Sequence, residues 1–304
     1  MDESAAPLYR LDLQTRNLLI ESAPLMEAWS KTDCGSKSTG GMEEWAKNQK
    51  AAEVEPVASC DWYHSTWQYL RLLNMVAVPP WYEFYKEALS DVLRRRPNAE
   101  VLISAAADYG MLATLHDAIR TSGASPHIVL YDICQTPIRA CQWYAERHGL
   151  ALDVVCANLL TCDIPPASFD LIVTDEFLTV IKSEDKPQIV KRWRELLKPG
   201  GTLVTTAMIG GPTTPELRRG YAERALRKLA ENPESFPQHN NGHSAELKRR
   251  LELFASVHTR HMLKDEEEVR RLFDGFGNFS YAVTATPGEC VNPTYSCQIV
   301  ASVP

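Results

Sequence analysis

The segment from Glu100 to Asp132 constrains the fold of this 304-residue chain more than any other part of it. It contains a short apolar run, a turn of small residues, a helical stretch and a second apolar run that ends in the carboxylate of Asp132. This order is typical of the first half of a nucleoside-binding α/β unit, in which the turn after the first strand approaches the ligand. An acidic residue at this spacing can hydrogen-bond both hydroxyls of a ribose.

The composition of the turn narrows the choice of ligand. Ala105 and Ala107 stand where such turns usually carry glycine, and only Gly110 remains. A pyrophosphate needs nearly bare backbone, so two methyl groups and the carboxylate of Asp108 argue against a dinucleotide. No lysine or arginine lies between Ile103 and Leu115 to offset that charge. A ligand with a ribose and an adenine but no phosphate fits better, and the positively charged S-adenosylmethionine would even benefit from Asp108.

Charge and hydropathy exclude several classes of protein. The formal net charge is −7, which argues against a nucleic acid or an anionic membrane surface as the main partner. No apolar run is long enough to span a bilayer, and the first residues are acidic, unlike the basic start of a signal peptide. We therefore expect a soluble, cytoplasmic protein with no nucleic-acid and no membrane partner.

The eight cysteines show no familiar ligand pattern, since none lies in a Cys-x-x-Cys pair. Most fall in apolar segments, and we expect them to be small buried side chains in a reducing compartment. Because thiolate or imidazole pairs at the usual spacings are missing, the sequence predicts no metal site. His258 and His261 lie in a stretch that we interpret as extended, which would send their rings to opposite faces.

The amino-terminal part differs from the rest in its pattern. Residues 1–97 lack alternating strand patterns and are rich in tryptophan and tyrosine. We interpret this part as a helical, aromatic-rich cap that contributes to the substrate region. Its helices are predicted near 8–30, 42–52, 61–76 and 80–95.

From Glu100 onward, strand and helix patterns alternate. Such alternation predicts a parallel sheet with helices on both faces. A helical insertion at about 212–256 interrupts it, with helices predicted at 215–232 and 244–256. Two strand-like runs then predict a closing antiparallel hairpin. The expected architecture is α/β, with a mostly parallel, doubly wound sheet over residues 98–304 and the helical cap in front of it.

The ordered set of pieces resembles the class I S-adenosylmethionine-dependent methyltransferases. Its most family-like segments are Phe169-Asp-Leu-Ile-Val and Leu196-Leu-Lys-Pro-Gly-Gly-Thr-Leu-Val204. The resemblance covers residues 98–304 apart from the insertion. It implies a Rossmann-like fold and S-adenosylmethionine as the cofactor.

The resemblance also implies which residues hold that cofactor. The turn after the first strand would face the methionine part, the tip of the second strand the ribose, and the residues after the third strand the adenine. Two positions depart from the family: Ile103 replaces an acidic residue of the first strand, and Asn158 replaces an aspartate, although its carbonyl oxygen can still accept from an amino group. The predicted cofactor-binding residues are Ser104, Ala105, Ala106, Ala107, Asp108, Gly110, Asp132, Ile133, Asn158, Leu159 and Asp175.

Candidates for chemistry lie after the fourth strand and in the cap. Asp175 and Glu176 follow the fourth strand, at the edge where open α/β sheets bind ligands, and could accept a substrate proton or cap a helix. Tyr63 and Trp67 share a helix face, which suits either core packing or a lid with cation–π contact to the sulfonium. The predicted catalytic residues are Asp175, Glu176 and His64, and the predicted substrate-binding residues are Tyr63, Trp67, Tyr82 and Phe177.

These features favour a biosynthetic transferase that methylates a small-molecule substrate, and they are compatible with a homodimer. Two alternatives remain open at this point. The abnormal turn could let the aminocarboxypropyl arm of S-adenosylmethionine react, by transfer or cyclisation, with release of methylthioadenosine. The chain could instead be a non-catalytic methyltransferase-like subunit that has lost cofactor binding.

Overall fold

A seven-stranded sheet forms the centre of the protein. The computed structural model describes residues 13–34, 59–232, 241–285 and 295–304. The strands are β1 (Glu100–Ser104), β2 (His127–Asp132), β3 (Asp153–Cys156), β4 (Phe169–Thr174), β5 (Leu197–Ile209), β6 (Asn278–Ala285) and β7 (Tyr295–Ser302). They lie in the order β3-β2-β1-β4-β5-β7-β6. The first five are parallel, while β7 runs antiparallel to both β5 and β6, which confirms the predicted doubly wound sheet with a closing hairpin.

Helices precede, connect and interrupt the strands. The cap contains α1 (Leu13–Asp33), α2 (Asp61–Leu72) and α3 (Tyr82–Arg95). The connecting helices are α4 (Gly110–Ser122), α5 (Gln135–His148), α6 (Phe177–Val180) and α7 (Lys186–Leu196). Between β5 and β6 lie α8 (Pro215–Glu231), α9 (Asn241–Val257) and α10 (Glu266–Phe273). The helix predicted at 42–52 falls outside the described residues.

Two boundaries differ from the prediction for local reasons. Helix α2 ends at Leu72 rather than near residue 76, and Asn74 already has a φ of 53°. Strand β5 begins at Leu197, which pairs with Phe169 before the register shifts at the following Pro-Gly-Gly segment. Both differences come from turns that a helical or alternating pattern does not show.

The strands of the sheet centre are apolar on both faces because helices cover both. Val101 and Ile103 belong to one core cluster together with cap residues, whereas Leu102 belongs to a second cluster with Trp193 and Phe273. All five side chains are fully buried. Successive side chains of a strand point to opposite faces of the sheet, so each strand contributes to two apolar cores, as expected for a parallel sheet.

The strand order reverses between β1 and β4, which are hydrogen-bonded neighbours. In open α/β sheets, ligands bind at the carboxyl ends of the strands at such a reversal. Helix α3 packs on α4 and β5, α1 packs on α2 and α5, and α9 packs on both α8 and α2. We call the cap helices α1–α3 and the insertion helices α8–α9 the cover. Of these helices, α2, α8 and α9 line the space above this edge.

A buried ion pair joins the two parts of the cover. Glu27 of α1 accepts hydrogen bonds from Arg250 of α9 at 2.6 Å, from Lys31 at 3.0 Å and from the hydroxyl of Tyr69 at 3.2 Å. Burial by itself would raise the pKa of Glu27, but the bonds from Arg250 and Lys31 outweigh it and lower the pKa to about 2.

No helix in the described parts of the chain is long and apolar enough to cross a membrane.

Candidate functional site

A cavity of about 670 Å³ lies at the carboxyl ends of β1, β2 and β4. The turns that follow the strands form its floor, and side chains of α2, α8 and α9 form its walls. The floor contains Ser104–Asp108, Asp132–Cys134, Ala157–Thr161 and Asp175–Phe177. The structure therefore brings together every predicted cofactor residue except Gly110.

The turn after β1 contains an alanine in a left-handed backbone conformation that glycine usually adopts. Ala105 has a φ of 67°, in the left-handed region, and its amide donates to the carbonyl of Tyr131 at 2.9 Å. A side chain in this region costs roughly 1–2 kcal/mol. The surrounding hydrogen bonds hold Ala105 in this conformation despite that cost, as is common at functional sites.

Gly110 contributes close packing and not a cavity surface. A Cβ atom there would lie 2.5 Å from the carbonyl oxygen of Val78, in the segment between α2 and α3. The Gly110 amide donates to Asp108 at 2.6 Å. Gly110 thus lets the cap approach the start of α4, and it lies outside the residues that line the cavity.

Asp108 is fully buried and paired with a cation of the cap. Its second carboxylate oxygen lies 2.6 Å from a guanidinium nitrogen of Arg71 in α2, which is itself buried. The sequence near the turn contains no such cation, because Arg71 comes from 37 positions upstream. Asp108 therefore does not present an unbalanced negative charge to a ligand, contrary to the expectation that it would attract the sulfonium.

Asp132 lies buried at the tip of β2 and borders the cavity. One carboxylate oxygen accepts from the Ala106 amide at 2.9 Å and the other from the Cys134 amide at 2.7 Å. Burial raises the pKa of Asp132 to about 8, although these two amides act in the opposite direction. In the ionised form each oxygen keeps a lone pair, so the carboxylate can accept two further hydrogen bonds.

The loop after β3, which is predicted to receive the adenine, borders the cavity. The side-chain oxygen of Asn158 accepts from the Leu160 amide at 2.9 Å, so it already stabilises this turn. Arg192 of α7 donates to the carbonyl oxygens of Leu159 and Cys162 at 3.2 Å and 3.0 Å. The loop is thereby held from below while Asn158 and Leu159 border the cavity.

The carboxyls of Asp175 and Glu176 lie side by side where β4 ends, and both border the cavity. Thr206 donates to Asp175 at 3.0 Å, and Thr179 and Ser296 donate to Glu176 at 2.7 Å and 3.2 Å. Burial raises the pKa of both groups, and for Asp175 the neighbouring Glu176 adds to the effect. This pair therefore retains protons at a higher pH than exposed carboxylates do.

An aromatic stack closes the cavity from the side of the cover. Tyr63 is stacked on Trp67 with ring centroids 4.7 Å apart and on Phe254 of α9 at 5.6 Å. Phe254 is in turn stacked with Tyr221 at 6.1 Å and with His258 at 4.9 Å. Tyr63 and Trp67 thus pack between helices and also border the cavity, while their role as a lid over the sulfonium stays a prediction.

Comparison with known proteins supports a methyltransferase domain. Residues 110–201 match a family model described as a methyltransferase domain. The match covers about a third of the chain, and it agrees with the sheet order, which is that of the class I S-adenosylmethionine-dependent methyltransferases. The chain contains a methyltransferase domain. A search of curated proteins by sequence found no match.

Comparison with solved structures found similar chains at low sequence identity. The CMeT domain of the citrinin polyketide synthase is 15% identical to this methyltransferase, with a TM-score of 0.52 over 81% of this chain and 59% of that one. A SAM-dependent methyltransferase from Methanosarcina mazei is 17% identical, with a TM-score of 0.44 over 68% of this chain and 93% of the other. Phosphoethanolamine N-methyltransferase 2 from Haemonchus contortus, solved with phosphomonomethylethanolamine and S-adenosylhomocysteine, is 12% identical, with a TM-score of 0.46 over 79% and 57% of the two chains.

The floor of this methyltransferase fits its cofactor, S-adenosylmethionine. Asp132 offers two acceptor lone pairs of the kind that a ribose needs, and the turn next to it carries no cation that would favour a phosphate. Asp108 is neutralised by Arg71, so the turn also lacks the acidic attraction that the sequence suggested. Hydrogen-bond acceptors and the shape of the floor, rather than charge, are what these residues offer to such a ligand.

Tyr82 and His64 have surroundings that the sequence did not predict. Tyr82 does not border the cavity; its hydroxyl donates to Asp117 of α4 at 2.8 Å. His64 does border the cavity, but its ring lies in a buried group with three cysteines. Phe177 borders the cavity as predicted.

Sequence reasoning missed the residues that the insertion contributes. Phe254, Tyr221 and His258 border the cavity, as does Arg218, whose guanidinium donates to the carbonyls of Ser256 and His258. Burial lowers the pKa of His258 well below its ordinary value, so its ring is neutral near pH 7. The only signal in the sequence was an aromatic residue on each inserted helix, which core packing explains equally well.

Proposed function

We propose that this methyltransferase methylates a small molecule enclosed beneath its cover. The observation that carries the proposal is the cavity of about 670 Å³ with walls from both the cap and the insertion. Its size falls within the range of roughly 300–1,000 Å³ that small-molecule sites occupy. The net charge of −7 supports the same conclusion, because a nucleic-acid acceptor favours a basic surface.

The residues of the cavity act mainly by positioning. S-adenosylmethionine supplies an activated methyl group when it is bound. Asp132 accepts the ribose hydroxyls, and the loop held by Arg192 receives the adenine. The stack of Tyr63, Trp67 and Phe254 excludes water from the side of the cover. In-line methyl transfer needs little beyond such alignment and exclusion of water.

The acceptor side combines an apolar wall with titratable groups. Phe254 and Tyr63 provide aromatic faces against which a planar or apolar part of the acceptor packs. If the acceptor must lose a proton, the Asp175–Glu176 pair and the neutral ring of His258 are the groups that can take it. A raised carboxyl pKa brings such a base closer to the operating pH.

Calorimetric titration with S-adenosylmethionine and S-adenosylhomocysteine tests cofactor binding. We expect Asp132→Asn to weaken both ligands by up to about 10-fold, because an amino group that cannot accept a ribose hydroxyl replaces one carboxyl oxygen, and such a hydrogen bond contributes about 0.5–1.5 kcal/mol. Asp163→Asn is the matched control, since Asp163 is an exposed carboxylate outside the cavity. No binding by the unmodified protein would contradict the proposal.

Mass spectrometry of the adenosyl products then tests the reaction. Incubation with pools of small-molecule acceptors should yield S-adenosylhomocysteine together with an acceptor that is heavier by one methyl group in place of a hydrogen. Release of methylthioadenosine would show instead that the aminocarboxypropyl arm reacts. Tight binding with no adenosyl product from any acceptor pool would count against methylation of a small molecule.

A further inference from the structure

Four side chains with metal-binding atoms meet beside the cavity. They are Cys34, which follows α1, Cys60 and His64 at the start of α2, and Cys134, which follows β2. All four residues are buried, with exposed fractions between 1% and 8%. Their sulfur atoms and one ring nitrogen all lie within 4.8 Å of one another.

The sulfur separations match a single tetrahedral centre. The Sγ atom of Cys134 lies 3.7 Å from that of Cys34 and 3.8 Å from that of Cys60. Zinc–sulfur bonds of about 2.3 Å at tetrahedral angles place neighbouring sulfurs about 3.8 Å apart. The imidazole nitrogen of His64 completes a Cys3His set, one of the usual ligand sets of structural zinc.

A disulfide accounts less well for this arrangement. A disulfide needs two sulfurs about 2.05 Å apart, whereas Cys134 is almost equally far from two partners. Such a bond would leave the third cysteine and His64 beside it without a role. A shared centre explains why three sulfurs and a ring nitrogen from separate parts of the chain converge.

We propose that these four residues bind one structural Zn²⁺ ion. With four protein ligands the site is closed, which is typical of structural rather than catalytic zinc. The ion ties the end of α1 and the start of α2 to the end of β2, so it fixes the cap on the sheet. His64 is then a ligand and not the general base that the sequence suggested, and the expectation of no metal overlooked Cys60 and His64, four positions apart at a helix start.

One ligand of the proposed ion, Cys134, lies in a loop that borders the cavity. The Cys134 amide donates to Asp132 at 2.7 Å, so the loop that carries a zinc ligand also orients the ribose-binding carboxyl. The hydroxyl of Thr136 lies 3.4 Å from the sulfur of Cys34 and supports the same loop. Loss of the metal should therefore weaken cofactor binding, even though the ion itself does not contact the cofactor.

Metal analysis of the full-length protein tests the proposal directly. The protein is expressed with added zinc, purified under reducing conditions without chelator and measured by inductively coupled plasma mass spectrometry. We expect about one zinc per chain. Replacement by Co²⁺ should produce the visible bands of tetrahedral cobalt–thiolate coordination. Absence of metal after both expression and reconstitution, or a disulfide between any two of the three cysteines, would overturn the proposal.

Variants at the four proposed ligands test where the ion binds and whether His64 is one of its ligands. Cys134→Ser and His64→Gln should lose most of the zinc, while His64→Cys should retain it because a thiolate can replace the imidazole. Cys156→Ser is the control, since that thiol is exposed and lies outside the group. Retention of full zinc by Cys134→Ser and His64→Gln would overturn the assignment. Should a variant fail to fold, the cobalt spectrum of the unmodified protein still decides whether thiolates bind the metal.

Discussion

The sheet and its cover are stabilised by different kinds of contact. Neighbouring strands share backbone hydrogen bonds and apolar side chains, and many such contacts contribute a little each. The cover has apolar packing too, but it also contains a few buried polar pairs between residues far apart in the chain, such as Glu27 with Arg250 and Arg71 with Asp108. Removal of one partner of such a pair leaves a buried charge without compensation, so single changes at these pairs should have large effects on the cover.

The largest effect is expected when Arg71 is removed. Arg71→Leu leaves the fully buried carboxylate of Asp108 without its cation, which should lower the free energy of unfolding by about 3–5 kcal/mol. Urea unfolding measures this loss. Arg94→Leu is the control, because Arg94 and Asp91 are about half exposed, and such pairs contribute less than about 1 kcal/mol. Equal losses in the two variants would remove the distinction between buried and surface pairs.

A smaller, pH-dependent effect is expected at Glu27. Its pKa is lowered to about 2, so its stabilising contribution is present above its ordinary value of 4.5 and disappears as the pH falls towards 2. Glu27→Gln should lower the free energy of unfolding by about 2 kcal/mol at pH 7. When the pH falls from 4.5 to 2, the free energy of unfolding of this variant should decrease less than that of the unmodified protein.

Unfolding curves at a series of pH values measure this difference. Glu21→Gln provides the comparison, since Glu21 forms an ion pair with Arg147 in which both side chains are nearly half exposed. An acid profile of Glu27→Gln that is parallel to that of the unmodified protein would show that the pair does not hold the cover.

The smallest effect is expected in the turn of the sheet. Ala105→Gly relieves a left-handed φ of 67° but makes the unfolded chain more flexible, so we expect a net gain of about 0.5–1 kcal/mol. Ala107→Gly should instead lose about 0.4–1 kcal/mol, because no positive φ is relieved there. Thermal unfolding of both variants provides the measurement, and a loss at both positions would show that Ala105 is not strained.

Local pattern predicted most of the sheet and the floor of the site. Apolar runs marked β1, β2 and β4, and the order of strands and helices placed Asp132, Asn158 and Asp175 at one edge. This worked because a parallel sheet brings the ends of its strands together whatever the loops contain. Of the two alanines that replace the usual glycines, only Ala105 has a left-handed φ, a difference that the sequence did not indicate.

The cover could not be predicted in the same way, because its contacts join distant parts of the chain. Nothing near Asp108 indicates Arg71, and nothing near Tyr63 indicates that Phe254 will stack on it. Tyr82 shares the aromatic character of Tyr63 but turns towards Asp117. Composition identified an aromatic cap, while the partner of each ring depended on the packing of α2 against α9.

The pair of Glu27 and Arg250 also concerns the order in which the protein is made. The two residues are 223 positions apart, so on the ribosome α1 emerges long before the helix that will neutralise its carboxylate. The strands from β1 to β5 are all synthesised in the interval. A nascent chain can thus complete the floor of the cavity while the cover still lacks α9, and the enclosed site is assembled only after the insertion has left the exit tunnel.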